Sequence, residues 1–166
     1  MTFTGADDEV FYPDASVQEE EEFTVLFRGW FIPATGVEYV LEAAKLLKGE
    51  PIHFRILGRG PLQKRVEELI TLYGLEGKVE LETAFLPERE LLEKMLACHV
   101  VLGQFTDHPR LDRTIQNKTF EALALRKPYI TRDSISNREL LTDEENCLFV
   151  RKTDARDIAD KILVLR

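Results

Sequence analysis

One stretch of this sequence, RTIQNKTFEALALRKP (residues 113–128), gathers side chains of the types that bind ligands. Asn117 and Glu121 stand four residues apart, so on a helix they share an edge and can reach the same ligand. Arg113 and Lys118 fall in, or just before, the first turn of that helix. The amino end of a helix is already positive, so cations there are unfavourable unless they hold an anion such as a diphosphate. Two glycine turns point the same way. RGWFIPATG (28–36) joins a strand to a helix through Gly29 and Gly36, and LGRGP (57–61) turns through Gly58 and Gly60. Glycine permits close approach of a backbone, and a helix start leaves amide hydrogens for an anion. LGRGP lacks the third glycine and the downstream acid of a dinucleotide fingerprint, which excludes that reading. Each turn taken alone reads more readily as an ordinary connection than as a phosphate site, and Glu121 taken alone is equally a surface carboxylate, while the group of four beside the end of a strand favours function.

These residues are positioned by an alternation of strand and helix patterns. Phe23–Phe27, Ile52–Leu57, Val79–Leu81, His99–Leu102, Tyr129–Thr131 and Cys147–Val150 read as short buried strands. Between them, Gly36–Leu47, Leu62–Tyr73, Glu88–Leu96 and Ile115–Leu125 carry helical spacing, and a final helix runs to Leu165 from a cap at Asp154. Gly74 is expected to close the second helix. In the fourth helix, Phe120, Leu123 and Ala124 form the apolar stripe expected to pack on the sheet. The pattern predicts an α/β domain, three-layer and Rossmann-like, with a parallel sheet covered on both faces. Ligands of such sheets sit outside the carboxyl ends of the strands. That directs attention to Gly29–Thr35, Gly58–Pro61, Thr83–Leu86, Gly103–Thr114 and Arg132–Asn137.

Composition sets the outer limits. The 166 residues are 44% hydrophobic and 31% charged, enough for one domain with its own core. A net charge of −8 argues against general nucleic-acid binding, while a local pocket can still be positive. Residues 1–22 are polar and end in Glu19–Glu22, and are expected to form a solvated lead-in or linker before a domain spanning 23–166. No stretch is apolar enough to span a bilayer and no signal peptide is visible, which implies a cytoplasmic protein. Cys98 and Cys147 lack paired spacing; Cys98 reads as a buried hydrophobe. His53 and His99 lie in strands, where packing explains them, and only His108, in FTDHPRLD, is placed for acid–base chemistry.

Taken together the motifs resemble the C-terminal domain of the group 1 glycosyltransferases (family 4), the donor-binding half of the two-domain GT-B fold. The resemblance runs nearly end to end: GADDEVFYP, FTVLFRGWFIPATGVEYVLEAAKLL, FRILGRGP, ACHVVLGQF and, most specifically, NKTFEALALRKP followed by NRELL. It implies a retaining, metal-independent transferase of the hexosyltransferase type using a nucleoside-diphosphate sugar, with no cofactor. Glu121 matches the glutamate that hydrogen-bonds the ribose of the donor; a carboxylate accepts two bonds from a vicinal diol. Phe85 and Leu86 fall where the nucleobase packs. Gly29 and the helix start at Thr114–Lys118, Asn117 included, fall at the diphosphate, where amides and cations stabilise the leaving group, and Thr119 is a further candidate contact to the nucleotide sugar. Trp30 and Thr35 stand where the family carries Arg and Lys, and Arg113 stands where it carries the first glutamate of a pair. Arg113 and Lys118 are therefore the candidates to take over diphosphate binding and the catalytic role.

By the same resemblance the acceptor belongs to an N-terminal domain of the full-length protein. That half would also make any contact with the inner face of a membrane, and the donor domain alone would transfer nothing. Three other classes are compatible with parts of the pattern. A sugar-nucleotide epimerase on this fold would need acid–base side chains in the cleft. A non-catalytic binding module would explain the altered loop. A phosphoryl-receiver domain would want an acidic cluster after the first strand, where Arg28, Gly29 and Trp30 stand instead.

Overall fold

The computed structural model describes residues 5–151 and 154–166; the first four residues of the lead-in lie outside it. Six parallel strands form one sheet in the order β3-β2-β1-β4-β5-β6. They are β1 (Phe23–Arg28), β2 (Ile52–Leu57), β3 (Val79–Glu82), β4 (Val100–Leu102), β5 (Tyr129–Arg132) and β6 (Leu148–Val150). The helices are α1 (Val37–Leu46), α2 (Gln63–Tyr73), α3 (Glu88–Ala97), α4 (Asn117–Ala124) and α5 (Ala155–Leu165). The expected α/β architecture is therefore present, each strand within a residue or two of its predicted place. Chain order reverses between β1 and β4, a switch point at which an open sheet leaves a crevice beyond its carboxyl edge.

The strands alternate sides as a doubly covered sheet requires. Val25, Phe27, Phe54 and Ile56 face α1, α2 and α5 in one cluster. Leu26, Leu57, Val101, Tyr129 and Phe149 face α3 and α4 in the other. Helix ends follow local chemistry. Gly74 closes α2 in the left-handed conformation, and the Asp154 carboxylate accepts the Asp157 amide at 2.7 Å. Cys98 is fully buried, and burial pushes its thiol up to about 12, the behaviour of a packed hydrophobe.

Two expectations are corrected. The acidic run is not a partnerless solvated segment. Glu19 pairs with Lys127 at 2.8 Å, Glu20 pairs with Arg55 at 3.1 Å, and the Glu20 amide donates to the Ala97 carbonyl at 3.0 Å. Upstream of it, Phe11 and Val17 pack on the core face shared with α3 and α4. Lys127, just before β5, and Arg55, within β2, thus offset the repulsion among neighbouring glutamates. The second correction concerns α4. Its buried positions are Lys118, Thr119, Glu121 and Ala122, followed by Leu125, while Phe120, Leu123 and Ala124 are only half-buried. The helix is turned from its apolar phase because the polar side chains find partners on the sheet.

Candidate functional site

The site is built where β1, β2 and β4 end. Gly29 follows β1, its amide bonded to the Leu57 carbonyl at 3.0 Å, so the first two loops lie against each other. Gly58 and Gly60 make that contact possible. A Cβ at Gly58 would stand 1.9 Å from the Gly29 oxygen, and one at Gly60 would stand 2.7 Å from the Phe31 oxygen, both at positive φ. Phe31 is fully buried under this junction, while Trp30 beside it is 53% exposed. Thr35 folds the loop inward, donating to the carbonyls of Trp30 and Ile32 at 2.9 and 2.8 Å.

Two clefts open along this edge. The first, about 500 Å³, is mainly apolar and is walled by Phe11, Trp30, Leu57, Phe85, Leu86 and Leu91, with Arg59 and Glu121. The second, about 440 Å³, is more polar and lies over the start of α4, with Arg110, Thr114, Gln116, Asn117 and Lys118. Arg28, Gly29 and Trp30 line both, so the clefts adjoin across the end of β1. A further depression of about 430 Å³ lies at the amino ends of β5 and β6 and contains none of the candidate residues.

A buried charge cluster sits at the junction. The Arg28 guanidinium grips Glu121 bidentately, Nη1 to Oε2 at 2.7 Å and Nη2 to Oε1 at 3.3 Å. Glu121 is almost wholly buried, its side chain 9% exposed. Lys118, one helical turn before it, runs inward beneath Gly29; its Nζ lies 3.4 Å from the Gly103 carbonyl and 4.6 Å from the Phe27 ring centroid. A side chain at residue 29 would crowd that amine, since its Cβ would stand 3.2 Å away. Burial first, and the nearby Arg28 charge second, push the Lys118 amine down to about 7, with Glu121 opposing them. This is the tuned environment expected of a site that handles charge.

The predicted residues separate into groups. Gly29, Trp30, Gly58, Phe85, Leu86 and Glu121 line the apolar cleft, and Asn117 and Lys118 line the polar one. Gly60 lines neither, and its backbone freedom serves the contact with Phe31. Thr119 lines neither; it is buried, with its hydroxyl 2.9 Å from the Tyr129 hydroxyl. Arg113 is exposed at the end of a short 3-10 turn (Pro109–Asp112) and lines neither cleft, whereas Arg110 lines the polar one. Arg132 holds that turn in place through Asp107 at 3.3 Å and Asp112 at 3.1 Å. None of the histidines lines either cleft. His99 Nδ1 accepts the Thr24 amide at 3.0 Å, and His108 Nδ1 accepts the Arg110 amide at 3.2 Å. Sequence reasoning missed Arg28, Arg59 and Arg110. Arg28 carried the one available signal, a cation as the last residue of a strand that ends at the crevice.

A parallel sheet with an apolar cleft, a polar cleft and a buried charge cluster at its switch point defines an α/β domain of the GT-B type. The chain belongs to the family described as glycosyl transferases group 1, whose pattern matches residues 22–166. It is 29% identical over 130 residues to WcaL of Escherichia coli (strain K12), provisionally named a colanic acid biosynthesis glycosyltransferase. That match covers 76% of this chain and 32% of WcaL, so the chain spans about a third of the length of that relative. The fold is shared with the C-terminal domain of LpcC, a glycosyl transferase group 1 family protein of Francisella tularensis. There the TM-score is 0.77 at 21% identity, covering 97% of this chain and 87% of that domain. It is shared also with Anabaena HepE, solved with UDP-glucose, at a TM-score of 0.81 and 18% identity, covering 96% of this chain and 45% of HepE. Among the described residues no helix is long and apolar enough to cross a membrane.

Proposed function

We propose that this domain binds the nucleoside-diphosphate part of a sugar-nucleotide donor in the paired clefts. In that reading it serves a metal-independent, retaining transferase whose acceptor is supplied by an N-terminal domain. The observation that carries the reading is the Arg28–Glu121–Lys118 cluster, set between an apolar cleft and a polar one at the switch point of the sheet. A nucleoside has one flat apolar end and one hydroxylated end, and a diphosphate follows. The order of surfaces here is the same: Phe85, Leu86 and Trp30, then Glu121, then Lys118 with the start of α4. HepE, which shares this fold, was solved with UDP-glucose, and that supports a nucleotide sugar as the ligand.

The proposed chemistry follows from the charges. Breaking the glycosidic bond leaves negative charge on the diphosphate, and fixed cations in a site of low dielectric stabilise it without a metal. Lys118 is held beneath the loop at that place, and an arriving anion raises its affinity for a proton. Stereochemical retention follows from the family resemblance.

The test is calorimetric titration of the 166-residue chain with UDP, GDP and ADP, and of a Glu121→Gln variant with the nucleotide that binds tightest. Binding in the micromolar range, weakened by about tenfold in the variant, is the expected result. No heat from any of the three nucleotides would overturn the reading.

A further inference from the structure

One residue of the charge cluster faces both halves of the site. Arg28 is the last residue of β1, and among the described residues it is the one cation that lines both clefts. Arg59 lines only the apolar cleft, Arg110 and Lys118 only the polar one, and Arg113 neither. Its side chain is 30% exposed, so the guanidinium is anchored yet open to the cleft.

The hydrogen-bond inventory shows how the group is divided. A guanidinium carries five N–H donors in a planar fork. Glu121 accepts one hydrogen from each terminal nitrogen, and the Met95 sulfur lies 3.9 Å from Nη1. The second Nη2 hydrogen and the Nε hydrogen are left for a further acceptor. Glu121 is divided in the same way. Each carboxylate oxygen gives one lone pair to Arg28 and keeps a second. The grip therefore fixes the carboxylate plane without consuming its capacity to accept from a ligand.

Resting on the donor reading above, we propose that Arg28 joins the two halves of the site. One edge of its guanidinium positions Glu121 toward the ribose hydroxyls, and the remaining donors bind a phosphate of the same nucleotide. Arg28 is thus a binding residue on the phosphate side and a positioning residue on the ribose side. The two roles make different demands: the phosphate needs a cation, while the carboxylate needs the planar fork.

Arg28→Gln and Arg28→Lys separate them. Wild type and both variants are titrated with UDP, GDP and ADP by calorimetry, and with uridine, guanosine and adenosine by ligand-observed NMR. Circular dichroism reports folding. Arg28→Gln should weaken the diphosphate about 30-fold and its matching nucleoside only about 3-fold, since a charge-assisted contact is lost in the first alone. Arg28→Lys should leave the nucleoside as weak as in Arg28→Gln but recover the phosphate increment, losing the same factor on both ligands. Equal losses on the two ligands in Arg28→Gln would overturn the phosphate contact. Wild-type nucleoside affinity in Arg28→Lys would overturn the positioning of Glu121. If Arg28→Gln does not fold, Arg28→Lys carries the test: a larger loss on the diphosphate than on the nucleoside overturns the division of roles. A wild-type chain that binds none of the nucleotides overturns the donor reading itself, and this assignment with it.

Discussion

Replacing Lys118 with methionine keeps an unbranched stem of similar length and removes the charge beneath Gly29. The ordinary lysine value is 10.5, and in the fold the amine is pushed down to about 7. Each tenfold change in proton affinity corresponds to about 1.4 kcal/mol, so burying this charge costs about 5 kcal/mol of folding free energy at pH values below 7. Between pH 7 and 10.5 the unfolded chain holds the proton and the folded chain does not. Wild-type stability therefore rises with pH through that window and levels off beyond it. The groups facing the amine are Arg28 from β1 and Glu121 from its own helix, with the Gly103 carbonyl and the Phe27 ring. All of them remain in the variant, so their own contributions nearly cancel in the comparison. Urea unfolding of both proteins, followed by circular dichroism, should show Lys118→Met more stable by several kcal/mol at pH 7. The gap should close to about 1 kcal/mol by pH 10. A gap that stays constant from pH 6 to 10, or a less stable variant, would refute the reasoning. The same variant should bind nucleoside diphosphates at least tenfold more weakly, because the charge that costs stability is the one offered to the ligand.

Two further substitutions test the positioning of the site. Gly58→Ala forces a Cβ to 1.9 Å from the Gly29 oxygen at a positive φ. It should lower stability by roughly 3 kcal/mol or more in urea unfolding and loosen the first loop. Thr119→Val removes the hydroxyl bonded to Tyr129, at a cost of about 1–2 kcal/mol in stability. Because Thr119 lines neither cleft, nucleotide affinity in that variant should stay at the wild-type value by calorimetry; a loss of affinity would return Thr119 to the site.

The fold was legible because strand periodicity, Gly74 and Asp154 are local signals that each act within a few residues. The site was legible only in outline. Glu121 and the first loop could be placed, since a parallel sheet has one functional edge and the residues after each strand must lie on it. The phase of α4 could not be read from hydrophobicity. Lys118, Thr119 and Glu121 face the sheet because Gly103 after β4, Tyr129 in β5 and Arg28 in β1 await them, and those partners lie outside the helix whose pattern was read. Arg113, singled out from the sequence, lines neither cleft, whereas Arg28 lines both and Arg110 the polar one. The helix expected from Ile115 begins only at Asn117, and Arg113 instead closes the 3-10 turn Pro109–Asp112, outside the first turn of α4.

The segment before β1 alters what counts as the domain. Phe11 walls the apolar cleft at the carboxyl ends of the strands, Val17 covers the sheet face behind α3, and Glu19 and Glu20 are pinned at the amino ends. In 10 residues the chain thus runs the full height of the sheet as a strap, tied at both ends. The family pattern begins at residue 22, yet a protein trimmed there would lose one wall of its apolar cleft, leave Lys127 without Glu19 and leave Arg55 with Glu80 alone. A pull on the chain ahead of Phe11 would therefore act directly on the wall of the apolar cleft.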